Sequence, residues 1–478
     1  MPRVSATDDV IRSIQRSVHA RACRIFAARD SAAAVRASAS TSSANLNSIQ
    51  RSANMFRKRA LQRAFDSVAQ AAQAANTSFK RATHAASAST LDSNSFDLVL
   101  SIALTLTIVT PKNADRMTHR ILSYSIDSVS TIVGENISVD EWASRMKVVD
   151  RKNQRRHLDG ADVIRITGVE RKSWDPILFR DFEPVVEVAE AAMERAAILR
   201  ADIEAVVLVT STPFYTQLSM DGFELLRRLK LPDHLPPIQL QAGCAAVARA
   251  MHVLSQMDAK RALIIAYEVS SPYMTSPVYY QNASHPLKDQ LWMSPALFGD
   301  GAGAMVLRRS AEPTGFSFYS RDSLSFGGRP GFEDPLIHYP GGGALHPPGS
   351  PGAEELAAFG MNGPATKQYY LRGMMLNHAT FASIEPDYLQ RTKRIYMHQA
   401  SPRLVDEVRT VMTQEIGVRA EQIPTHAREL GNIVAPATLK LLDDDWQRGD
   451  VGPGDEVCFS VVGAGPERGG FVLPITAN

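Results

Sequence analysis

The chain has 478 residues, of which 44% are hydrophobic and 21% charged, and its formal net charge is +2. That composition can bury a large core, which excludes a wholly disordered chain, and the length predicts two to four domains. The balanced charge gives no ground for a nucleic-acid partner, and three cysteines in so long a chain point to a reducing cytoplasm.

Residues 1–116 differ from the remainder. They are rich in Ala, Ser and Arg, contain no Glu, and carry sixteen Lys and Arg against seven Asp, which leaves 36 basic and 43 acidic residues for the rest. Three readings of this extension stand side by side: a transit-type peptide, a disordered or partly helical arm with helix-compatible residues 65–75, or an over-long start with Met117 as the true beginning. The last is preferred. Residues 96–110 are apolar, but fifteen residues fall short of the roughly twenty of a membrane span.

Beyond residue 121 strand-like and helix-like runs alternate, and the pattern occurs twice. Residues 203–210 (IEAVVLVT) read as a buried strand. After Pro236-Pro237-Ile238-Gln239-Leu240 comes Gln-Ala-Gly-Cys-Ala-Ala around Cys244, and then Ala245, Ala246, Val247, Ala250, Met251 and Leu254 at helical spacing. Cys244 is thus expected at a helix N-terminus, where the dipole favours an anion and the thiolate fraction should rise. The alternative is a small buried cysteine that only packs. Strands are predicted at 262–267 and 304–307, and residues 298–304 (FGDGAGA) read as a glycine-rich turn. No Gly-Lys-Ser/Thr follows, which excludes a phosphate loop.

Residues 326–363 are rich in Gly and Pro and predict a loop that covers a pocket mouth or lies at a dimer contact. A short strand then ends in His398, and a helix follows from Pro402 through Val411; catalytic groups gather where α/β strands pass into helices. Asn432 precedes the apolar run 433–439 and so repeats the placement of Cys244. A structural histidine and an N-cap asparagine are the plain readings of these two residues. Strands at 457–462 and 471–474 end the chain. Cys23 and Cys458 show no ligand spacing, so no metal is expected.

Taken in order, Cys244, His398 and Asn432 resemble the Cys-His-Asn triad of the β-ketoacyl-acyl-carrier-protein synthase III family of thiolase-fold condensing enzymes. Ile166-Thr167-Gly168-Val169 is similar to that family's early Thr-Gly-Ile motif, residues 298–304 to its glycine-rich turn, His398-Gln399-Ala400 to its histidine motif, and Gly463-Ala464-Gly465 to its C-terminal glycine loop. The resemblance runs from Ile121 to the C-terminus. It implies an α/β thiolase fold, with two similar βαβ halves forming a five-layered α-β-α-β-α sandwich: residues 117–310 with the nucleophile, residues 311–478 with His and Asn, and a homodimer. It further implies that Cys244 takes an acyl chain, that the backbone N–H groups of Cys244 and Ala464 form the oxyanion site, and that no metal or redox cofactor is required. His398 and Asn432 would then act on a malonyl-type thioester.

Departures from the family pattern concern the carrier. Asp162 and Ile166 stand where acyl-coenzyme A users present an adenine-clasping Trp and Arg, Pro272 replaces a second Arg, and Ser401 replaces an Asn. Trp142 resembles the family's Trp context, yet a basic insertion (Arg151, Lys152, Arg155, Arg156) separates it from Thr167. Arg403 matches a family position that contacts the acidic carrier protein, so acyl-carrier protein is the expected partner. The expected function is decarboxylative condensation in fatty-acid, polyketide or specialised biosynthesis. Alternatives are fusion of two β-ketoacyl chains, acyl transfer to O or N without decarboxylation, and a non-catalytic partner subunit.

Overall fold

Strands with continuous apolar sequence need cover on both faces, and the run Ala205–Thr210 is buried at every residue. The computed structural model, which describes residues 119–149, 152, 154–275, 279, 284–321 and 336–476, shows where that cover comes from. The chain divides into two units, Met1–Thr110 and Pro111–Asn478, and all described residues belong to the second. The expectations for residues 1–116, Cys23 included, lie outside the described residues, as do Arg151 and positions 326–335 of the predicted loop.

Ten strands build two five-stranded mixed sheets. The first has the order β2 (Tyr124–Val133), β6 (Gly301–Arg309), β5 (Arg261–Glu268), β3 (Ala205–Thr210), β4 (Ile238–Gln241), and the second the order β1 (His119–Leu122), β7 (Gly315–Arg321), β10 (Glu467–Pro474), β9 (Glu456–Gly463), β8 (Thr392–Met397). β3 pairs in parallel with β4 and β5, and β8 with β9, while the other pairs are antiparallel. β1 belongs in sequence to the predicted first half, residues 117–310, but joins the second sheet through β7.

Two helices lie between the sheets: α3 (Ala246–Leu254) and α6 (Pro436–Arg448) each contact strands of both. α2 (Glu183–Arg195) covers the far face of the first sheet and α4 (Gly363–Ile384) that of the second. This is the five-layered thiolase fold that the resemblance implied. The period of two along each strand divides the core accordingly. Val207, Val209, Ile264, Ala266 and Tyr396 face the central helices, whereas Val206, Leu208 and Ile265 face α2, and Ile395 and Met397 pack in the cluster beneath α4.

α3 is apolar on nearly all sides, as a helix in a central layer must be, with Ala246, Val247, Ala248, Ala250, Met251 and Leu254 buried. α6 instead carries two buried acids. Asp443 accepts from Arg195 of α2 at 2.7 Å and from Thr131 of β2 at 2.6 Å, and Asp445 pairs with Arg394 of β8 at 3.1 Å, so an ion pair and a hydroxyl tie α6 to α2 and the first sheet and a second ion pair ties it to the second sheet.

The glycine-rich run divides differently from expectation. Only Phe298–Asp300 turns; Gly301 to Ala304 open β6. Their small size has a packing cause, since a Cβ on Gly303 would lie 3.0 Å from Thr131 and 3.2 Å from Leu439 of α6. The basic insertion follows α1 (Val139–Arg145) and forms a ribbon of Lys147–Val149 against Arg155–His157. No helix among the described residues is long and apolar enough to cross a membrane.

Candidate active site

Cys244 follows β4 and stands two residues before α3. Its residue surface is only 8% exposed, and burial pushes the thiol up, reinforced by the charges of Glu268 and Glu467; its own backbone N–H and the Asn432 side chain pull the other way without prevailing. The expected rise in thiolate is therefore overturned. The favourable end of a nine-residue helix contributes on the order of 1 kcal/mol, less than the cost of removing an anion from water.

His398 follows β8 directly. Its backbone N–H donates to the Ser460 carbonyl at 3.1 Å, and the Tyr370 hydroxyl donates to its carbonyl at 2.6 Å, which fixes the residue from two sides. Burial pushes the imidazole down to about 3, so it is neutral at pH 7, and Nδ1 has no partner among the described residues. Gln399 braces the same loop: its Nε2 donates to Met397 O, and its Oε1 accepts from Thr425 and from His426 N–H.

Asn432 lies in the loop before α6, but it is not that helix's N-cap, which is Ala435. Its backbone is stitched to the Phe298 turn by Asn432 N to Leu297 O (2.8 Å) and Gly299 N to Asn432 O (2.9 Å). The close approach requires Gly431, which has φ +68° and whose Cβ would stand 2.8 Å from Leu297 O. Val434 N–H donates to Asn432 Oδ1 at 2.9 Å, leaving the amide N–H groups for the site, where the side chain hydrogen-bonds Cys244.

These three side chains line one cavity of about 260 Å³ together with Ala464, Ile166 and Arg403. Ala464 caps the β9–β10 hairpin, which approaches the start of α3 because Gly463 has no Cβ; one added there would lie 3.0 Å from Ala245. Arg403 is exposed on α5 (Pro402–Val411), whose N-cap is Ser401, accepting from Leu404 N–H. Ser401 thus terminates a helix where the family has an Asn. Described residues of the predicted loop also form walls: Ile337, Met361 and Gly363 line this cavity. Part of that loop is a two-stranded ribbon, Ile337–His338 against Gly360–Met361.

The residues at the adenine-clasping positions do other things. Asp162 pairs with Arg165 at 2.8 Å, Ile166 is 40% exposed at the cavity, and Pro272 sits in the short helix Ser270–Met274. Trp142 is fully buried and forms one side of a cage around Lys172, whose Nζ is 4.1 Å from its ring centre and 4.3 Å from that of Trp174. Its likeness to an adenine-stacking Trp ends there. Lys172 Nζ also donates to Pro295 O, and the cage holds the segment that precedes the Phe298 turn.

A second cavity, of about 190 Å³, adjoins the first at Cys244, Ile337 and Ala464. Its polar lining was not foreseen from the sequence: Ser211, Arg249, Glu268 and Glu467. Glu268 ends β5 on the same face as Ile264 and Ala266, so the alternation that places these two against the central helices carries the carboxyl to the site. The Ser211 hydroxyl donates to it, with Oγ 2.7 and 2.8 Å from its two oxygens, and burial pushes Glu268 up to about 7. Glu467 accepts from Arg249 Nε at 3.0 Å and from Tyr319. Among the described residues no group of three or more His, Cys, Asp or Glu is placed to hold a metal.

Residues 389–475 match the family model described as the C-terminal part of 3-oxoacyl-[acyl-carrier-protein] synthase III. Over 300 residues the chain is 27% identical to β-ketoacyl-[acyl-carrier-protein] synthase III 3 of Streptomyces coelicolor, covering 60% of this chain and 81% of that protein. Over 339 residues it is 26% identical to the β-ketoacyl-[acyl-carrier-protein] synthase III of Rhodobacter capsulatus, covering 68% and 94%. The 3-oxoacyl-(acyl carrier protein) synthase III of Pseudomonas aeruginosa PAO1 superposes with a TM-score of 0.56 at 21% identity, over 74% of this chain and 98% of that one. The chain therefore has the thiolase fold and is similar in sequence to β-ketoacyl-[acyl-carrier-protein] synthases III.

Proposed function

We propose that the protein is an acyltransferase of the condensing kind, which loads an acyl chain on Cys244 and joins it by decarboxylation to a malonyl-type thioester. The observation that supports this best is the convergence of Cys244, His398 and Asn432 on one cavity, from both halves of the fold. Cys244 Sγ attacks the donor carbonyl carbon, a C–S bond forms, and the bond to the carrier sulfur breaks as the thiol proton passes to the departing thiolate. The N–H groups of Cys244 and Ala464 hold the tetrahedral oxyanion; losing one such donor costs on the order of 10²–10³ in rate.

In the second half-reaction the extender loses its carboxylate as CO2, and the bonding pair remains as an enolate. A histidine whose pKa is near 3 is a neutral donor at pH 7, suited to hydrogen-bonding the enolate oxygen beside the Asn432 amide without being deprotonated itself. The enolate carbon then attacks the acyl carbonyl, a C–C bond forms, and Cys244 Sγ leaves. Acyl-carrier protein is the proposed carrier, with Arg403 at the cavity mouth as its contact, acting as one half of a homodimer in the cytoplasm without metal or redox cofactor.

Incubation with an acyl donor and malonyl-carrier protein labelled in its free carboxylate tests the reading. Release of labelled CO2 with a β-ketoacyl product is expected. Retained carboxylate, or a product lacking the new C–C bond, would sink it.

A further inference from the structure

The two cavities that meet at Cys244 differ in chemistry. The one with His398 and Asn432 has Lys367 and Arg403 at its edge and suits a carrier arm and an extender. The other is left for the acyl group, and it is not an apolar sleeve: Met274, Phe298 and Phe359 share its wall with Ser211, Glu268 and Glu467. Both acids are almost fully buried, at 1% and 3% exposure.

Their hydrogen bonding separates them. Glu467 is held by Arg249 and by the Tyr319 hydroxyl, a fixed ion pair with no need of a ligand. Glu268 receives the single hydroxyl hydrogen of Ser211, a long contact of 3.4 Å from Ser211 N–H, and Thr212. A carboxylate offers about four acceptor positions, so capacity remains on the cavity side. A plain alkyl group filling this space would expel water and leave that capacity unmet. A group with a hydroxyl or ammonium hydrogen would meet it.

We propose that the acyl group carried on Cys244 is short and bears a hydroxyl or amino substituent that hydrogen-bonds Glu268. This rests on the reading of Cys244 as the acyl carrier and narrows its substrate class. Discrimination of this kind exceeds what a missing methylene achieves, because the protein's buried polar group is left unpaired with the wrong substrate.

The test is competitive loading. Full-length protein is given butyryl, octanoyl, 3-hydroxybutyryl, 4-hydroxybutyryl and 3-aminobutyryl thioesters on both coenzyme A and acyl-carrier protein, and the initial rate of mass gain on Cys244 is recorded. At least one hydroxylated or aminated donor is expected to load about 10⁴-fold faster than butyryl, and Glu268→Ala should bring the ratio near one by slowing the polar donor. If Glu268→Ala does not fold, Glu268→Gln decides: it keeps a hydrogen bond to a hydroxyl, so it should retain hydroxyacyl loading and lose any preference for the ammonium donor. Butyryl or octanoyl loading as fast as every polar donor, a ratio unchanged in folded Glu268→Ala, or an ammonium preference that survives Glu268→Gln would overturn the inference. Absence of loading from all donors would instead overturn Cys244 as the acyl carrier and take this inference with it.

Discussion

Cys244 and Asn432 occupy matching places, each in the loop before a helix sandwiched between the two sheets, yet the surroundings give them opposite electrostatics. On the Cys244 side, Glu268 and Glu467 add to burial in holding the thiol protonated. On the Asn432 side, the partner is a histidine kept neutral by burial alone. The same architectural position can thus hold the proposed nucleophile or the proposed hydrogen-bond donor, and the strand ends beside it set their surroundings. It also shows that placement at a helix N-terminus does not by itself make a thiolate; the desolvation of the site outweighs the dipole.

The largest effect expected from breaking this comparison is at the proposed nucleophile. Cys244→Ala should abolish acylation, a loss on the order of 10⁴-fold or more, read as absence of any mass gain after incubation with donor thioesters. His398→Ala removes the opposite member and should act on one half-reaction: loading persists while condensation falls by about 10³. Single-turnover loading and overall product formation, measured separately, check this, and equal loss of both steps would contradict the division of labour.

Much of this arrangement was legible in the sequence because it follows from local pattern. The run 203–210 announced β3, and the helix from Pro402 to Val411 coincides with α5, since proline at its first position and Ser401 before it are strong start signals. Cys244, His398 and Asn432 were each recognisable as a polar residue at the junction of an apolar run. Glu268 obeys the same rule, as the acid that ends the buried strand Arg261–Glu268 on its inner face. It escaped notice because a strand's inner face is visible only once its partners are known. The fate of Trp142 was hidden for a similar reason: the Lys172 that it cages is thirty residues away in sequence and the second Trp is two further on.

A smaller effect is expected at Glu268 in the stability of the fold. Its carboxyl ionises near 7 when folded against 4.5 as a free side chain, raised by burial and by Asp300 and opposed by Ser211 and Thr212; Cys244 and Glu467 also share its cavity. Its folded pKa is the higher one, so the native state binds the proton more tightly. The corresponding stability is fully present below about pH 4.5 and is lost as pH rises through 7. At most about 3 kcal/mol is involved, at 1.36 kcal/mol per unit. Glu268→Gln, which cannot ionise, should unfold at higher urea than the native protein at pH 8 and should flatten the slope between pH 5 and 7. An unchanged slope would show that another group carries the titration.

The smallest effect belongs to Arg403, and it separates the carrier from the chemistry. Arg403 is exposed on α5, whereas Cys244, His398 and Asn432, which line the same cavity, are buried. An exposed charge acts chiefly on encounter with a charged partner and is screened by salt over a Debye length of about 8 Å at physiological ionic strength. Arg403→Glu should therefore raise KM for acyl-carrier-protein donors by about tenfold while leaving kcat within a factor of two, and the difference should shrink in 0.5 M salt. With a short pantetheine thioester, which has no acidic protein surface, the variant should match the native protein. A fall in kcat for both donors would place Arg403 in the reaction itself, and equal KM values for the carrier protein would mean that it docks elsewhere on the surface.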